Sequence, residues 1–175
     1  LTSASVEQKS PYTRIRVKIT GDSLVATEVQ VFQTSLYETD FVRWVETTVE
    51  QLRNQEYASV DWTNLIEEIE DMSKRERKSL KSNLVVLLLH LLKWQHQPEC
   101  RSGSWKGSIR EHRRRINDDL KDSPSLKPYL QEVFAECYMN ARLQAADETG
   151  LPIETFPLDC LYTPVQSLDT DFLPE

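Results

Sequence analysis

NLVVLLLHLLKWQHQPE, residues 83–99, is apolar from Leu84 to Leu92 except for one imidazole, His90. A helix that is apolar on nearly every side is the buried centre of a bundle, and this run is about half the length needed to cross a bilayer. Pro98 disfavours helical geometry in the residue before it, so the helix should stop at Gln97. The stretch therefore predicts an all-α fold, a single helical bundle around this central helix. It also raises a question, because an imidazole in such a cylinder needs hydrogen-bond partners for its ring nitrogens.

Upstream of the stretch, Phe41, Trp44, Val45, Val49 and Leu52 recur at helical spacing and predict a helix from about Thr39 to Gln55. Asp61 is a good N-cap for a second helix with Trp62, Leu65, Ile66, Ile69 and Met72 on its buried face. Ser73 and Glu76 have capping-box spacing, which predicts a break near Ser73, with one continuous helix as the alternative. Downstream, Ser104 should cap a helix burying Trp105, Ile109, Ile116 and Leu120, which ends before Ser123-Pro124. Ser125 should open another, with Leu126, Leu130, Val133, Cys137 and Ala141 inward and Gly150 as its stop. The Pro-rich remainder reads as an extended tail laying Phe156, Leu161 and Phe172 over the bundle, with Thr163 to Gln166 capping one short helix.

Residues 1–36 follow another period. Ile15, Val17 and Ile19 alternate before Gly21-Asp22-Ser23, and Val25, Thr27, Val29 and Val31 alternate after it, as in a β-hairpin. The chain is thus expected to divide into an N-terminal extension or arm, 1–36, and a helical domain, 37–175.

Charge is segregated along the chain. The net −7 resolves into +1 over residues 1–37, −8 over 38–73, +9 over 74–117 and −9 over 118–175. Complementary neighbouring helices account for this pattern most simply. The basic helix 110–115, with Arg110, Arg114 and Arg115, offers a nucleic-acid reading, which the acidic balance and pI near 5.1 disfavour. Three unpaired cysteines, Cys100, Cys137 and Cys160, suit a reducing compartment, so a cytoplasmic protein is expected, with no membrane association.

Glycine occurs only at 21, 103, 107 and 150, which excludes the familiar phosphate-loop, dinucleotide and nucleophile-elbow motifs. The polar candidates sit at helix faces. At about 100° per residue, Glu68 and Glu70 flank the stripe of the second helix, His112 falls inside its helix's apolar stripe, and Arg113 lies beside it. Glu76, Asn83, His90 and Gln97 recur at sevens on the central helix. Glu68, Glu70, His90, His112 and Arg113 thus form a candidate polar core cluster. One reading is structural: a carboxylate or carbonyl satisfies His90, and Arg113 balances the carboxylate. The other makes them an enzymatic or metal-binding site, although neither H-E-x-x-H nor Glu-x-x-His is present and no metal or cofactor is expected. With catalytic motifs missing, a non-enzymatic scaffold or partner-binding module is favoured, acting as a homo-oligomer or on a protein partner.

The strings LIEEIEDMSKRERKSLKSNL, HLLKWQHQPE, IREHRRRI, DSPSL, ARLQAADETGL and FP resemble the domain of unknown function family twenty-nine, found mainly in photosynthetic bacteria. The resemblance runs from Tyr37 to Glu175. It implies an all-α domain and carries no activity or functional residues.

Overall fold

The computed structural model describes residues 35–175, so the hairpin expected in the N-terminal extension lies outside the described residues. Within them the chain forms six α-helices and no strand; the fold is all-α. It divides into two compact units, with the boundary in the chain between Ile66 and Glu67.

In the first unit, α1 (Leu36–Thr39) leads into α2 (Phe41–Arg53), a 3-10 turn at Tyr57–Ser59, and the opening of α3 (Trp62–His96). Asp40 starts α2 by accepting the Arg43 backbone N–H at 3.0 Å, which satisfies one of the donors orphaned at a helix start. At its far end Gln55 takes a left-handed φ of 61°, and the Glu56 N–H reaches back to the Gln51 carbonyl at 2.8 Å. That bond uses a carbonyl the helix end leaves free. Tyr37, Phe41 and Trp44 pack edge to face and stacked, their rings 4.9 to 5.8 Å apart. The stripe expected to turn inward does so only in part. Trp44 is buried and Leu52 half-buried, whereas Phe41, Val45 and Val49 are exposed.

The helix expected to break near Ser73 does not break: α3 is one helix of 35 residues. A capping box requires its serine to leave helical geometry. Residues 62–96 contain no glycine or proline to favour that departure, and Lys74 bonds back to Asp71 at 2.8 Å while Arg75 lies 3.5 Å from Glu68. The buried face expected for its first turns is also corrected: Leu65 is half-buried, but Trp62, Ile66, Ile69 and Met72 are all about half exposed or more. Periodicity marks a face as apolar without supplying what covers it.

From Asn83 to His96 every α3 residue is buried or half-buried, as the opening stretch requires. Leu80, Leu84, Leu87, Leu88 and Leu91 are fully buried. Against them pack Ile109, Ile116 and Leu120 of α4 (Gly103–Asp122) and Leu130, Val133, Phe134, Cys137, Tyr138 and Ala141 of α5 (Leu126–Thr149). Ser102, rather than Ser104, caps α4. Gly150 closes α5 at φ 69°, a conformation an L side chain resists. The tail then runs through a 3-10 turn at Ile153–Thr155 to α6 (Pro164–Leu168), whose capping box pairs Thr163 with Gln166. Phe156 is buried and Phe172 half-buried, while Leu161 is exposed.

Candidate functional site

Two of the α3 positions that recur at sevens, Asn83 and Glu76, meet His112 and Asp119 of α4, which with Trp105 form a second ladder of sevens. At the middle rung the Asn83 amide nitrogen donates to the Ser79 carbonyl at 3.0 Å. Its oxygen thus accepts from His112 Nδ1 at 2.9 Å. Burial, then Arg115 and His90, push His112 below the ordinary imidazole range, with Glu111 opposing. His90 is half-buried, and its Nδ1 donates to the Val86 carbonyl at 2.9 Å, one turn back on its own helix. Both rings therefore carry their proton on Nδ1 when neutral.

At one end of the ladder, Asp119 is held above the usual carboxylate range by burial and by Glu76, Asp118 and Asp122. Its Oδ2 is buried without a hydrogen-bond partner. At the other end the nearly buried Lys93 reaches Glu148 of α5 at 2.6 Å and lies 4.6 Å over the Trp105 ring. Gln97, the last of the polar series, turns to α5 and donates to the Thr149 carbonyl at 3.4 Å.

Arg113 is spent mainly on backbone carbonyls of the tail, and the carboxylate that acts on it is Asp169 of that tail. At 2% exposure, Arg113 donates from Nε to the Ser167 carbonyl at 2.8 Å and from Nη2 to the Phe172 carbonyl at 2.6 Å. A guanidinium offers five donors in a fixed fork, which suits several carbonyls of one turning chain. Arg142 does the same for the Ile153 and Phe156 carbonyls at 3.0 and 2.9 Å, and Tyr138 donates to the Pro157 carbonyl at 2.7 Å. These three side chains fasten the tail.

Of the five candidates, His112 bonds to Asn83 and feels the charge of His90, and Arg113 is next in the chain but committed to the tail. Glu68 and Glu70 lie nearer the start of α3, beside Arg75 and Lys74. Among the described residues no group of three or more His, Cys, Asp or Glu is placed to hold a metal ion. Arg114 and Arg115 of the basic helix are engaged by Glu111, which their hydrogen bonds bring down to about 2, and Arg114 also by Asp118 at 2.7 Å. His96 is not among the candidate cluster residues, yet its Nε2 is buried without a partner, its ring stands edge-on to Phe156 at 5.1 Å, and burial lowers it. The signal was only its place on the apolar side of α3.

No helix among the described residues is long and apolar enough to cross a membrane. No curated protein and no solved structure matches the chain. The family model for the domain of unknown function DUF29 matches residues 36–173, and the chain belongs to that family.

Proposed function

We propose that this is a non-enzymatic helical module that works by binding a protein surface through α2. The observation that carries this reading is the face formed by Phe41, Val42, Val45 and Val49, all exposed on one helix. Isolated exposed apolar side chains are ordinary, but a contiguous apolar stripe bordered by charge is the usual form of a helix that docks. Its border is acidic: Glu46 and Glu50 follow the stripe at one edge, and residues 35–66 carry six carboxylates against Arg43 and Arg53. Charge complementarity therefore selects a basic, partly apolar surface as the occupant. The polar ladder supports the same reading from the other side, since the hydrogen bonds of His112, Asn83 and Arg113 serve packing and tail attachment.

Fluorescence anisotropy of a dye-labelled, synthetic Lys/Leu amphipathic helix tests this. Saturable binding to the parent is expected, with a loss of roughly tenfold or more in Val45→Asp. Absence of binding, or equal binding by a Val45→Asp protein of unchanged circular dichroism, overturns the reading. Stoichiometric metal in protein purified without chelators would transfer the case to the two histidines.

A further inference from the structure

Between α3 and α5 lies a groove of about 510 Å³ lined by Lys74, Arg77, Lys78 and Lys81 on α3 and by Tyr129, Glu136 and Asn140 on α5. Four cations face one carboxylate there, on a chain whose net charge is −7. Lys81 is paired with Glu136 at 2.7 Å and Lys74 with Asp71, while Arg77 lies 5.2 Å over the Tyr129 ring. No ion pair engages Lys78 among the described residues. Val85 and Tyr129, both half-buried, give the groove an apolar floor.

We infer that this groove receives the α2 helix of a second copy of the chain. The inference rests on the proposed role of α2 and names its basic partner surface. Three observations argue for it. Cations recur along α3 at i, i+4, as Lys74 with Lys78 and Arg77 with Lys81, which is the spacing of Glu46 and Glu50 on α2. The carboxylates of α2 border an exposed apolar stripe, and the cations of the groove border an apolar floor, so a helix laid in the groove matches charge and hydropathy together. A chain carrying both an acidic helix and a basic groove is self-complementary, and a two-fold axis then uses each pair twice. A nucleic-acid strand would meet the same cations but also the field of an acidic protein.

Sedimentation velocity of the whole chain, from about 1 to about 200 µM at about 50 mM salt, tests this because screening lengths stay above roughly 10 Å there. A dimer is expected that weakens at about 500 mM salt. Lys74→Glu with Lys78→Glu, and separately Glu46→Lys with Glu50→Lys, should each weaken it roughly tenfold or more. The quadruple variant combining them should dimerise again, a recovery that damaged folding does not produce. A monomeric parent, or a quadruple variant that stays monomeric with parental circular dichroism, overturns the inference. So does a parent that remains monomeric while its groove retains single-stranded RNA in a Lys78-dependent way. If the parent is monomeric but α2 still binds the basic peptide, the groove assignment falls and the module reading stands; if neither occurs, both fall.

Discussion

The two halves of α3 carry the same kind of apolar repeat and meet opposite fates. Leu80, Leu84, Leu87, Leu88 and Leu91 are fully buried, whereas Trp62, Ile66, Ile69 and Met72 on the same helix are exposed. The difference lies in the neighbours. The C-terminal half is enclosed by α4 and α5 and is apolar on most of its circumference. Its N-terminal half carries one apolar stripe among Glu67, Glu68, Glu70 and Asp71, and a helix so charged stays soluble with its stripe uncovered. Apolar spacing thus specifies a face, and burial of that face is decided by another element.

The sharpest way to break the comparison is truncation in each half. Leu88→Ala removes a side chain with no exposure and should cost about 2–5 kcal/mol in urea unfolding, whereas Ile69→Ala should stay within about 0.5 kcal/mol. Equal losses would mean that the N-terminal stripe is covered in solution. Next comes Arg113→Leu, which strands the Ser167 and Phe172 carbonyls; a loss of about 2–3 kcal/mol is expected. Hydrogen exchange should quicken over residues 164–173 and leave α3 protected; uniform loss of protection would deny Arg113 its role in fastening the tail.

The two half-buried histidines whose titration burial lowers give a pH test whose sign follows from that burial. His112 and His96 titrate lower in the folded chain than when unfolded. Their contribution is complete above the ordinary imidazole value of 6.5 and is lost as pH falls through it toward their lowered values. Thermal melts should therefore drop between about pH 7.5 and pH 5.5, less so in His96→Leu with His112→Gln; an unchanged slope in that variant counts against the two rings. Asp119 works in the opposite sense: its raised value makes its contribution full in acid and lost as pH rises. Asp119→Asn removes repulsion from Glu76, Asp118 and Asp122 and should stabilise by a few tenths to about 1 kcal/mol at neutral pH. A destabilised variant would reveal a partner for Oδ2.

The smallest effect is expected at His90. Read from sequence, it needs a partner that a leucine would abandon. In the fold its Nδ1 bonds to the Val86 carbonyl, which already accepts a backbone N–H in the helix ladder. His90→Leu should then change stability by no more than about 0.5 kcal/mol. A cost of several times that would place a second partner on its other nitrogen.

Much of the fold was legible without coordinates because its signals are local. The Leu84–Leu92 run, Asp61 and Thr163 as caps, Gly150 as a stop and Pro98 as a terminator each act within a few residues on backbone geometry, and each appears where the sequence puts it. The continuity of α3 through Ser73 was undecided for the same reason, since a capping box and a helix interior admit the same four residues. The polar ladder was half visible: sevens on α3 announced a seam, but Trp105, His112 and Asp119 became its other side only when α4 was laid against α3. Arg113 illustrates the limit best. Its place beside a buried stripe follows from helical angle, which the sequence alone determines; its partners are carbonyls more than fifty residues away, and only the path of the tail decides them. Local dihedral preference and apolar period determine which helices form and which faces are apolar, while long-range packing decides which faces are covered and which polar groups meet.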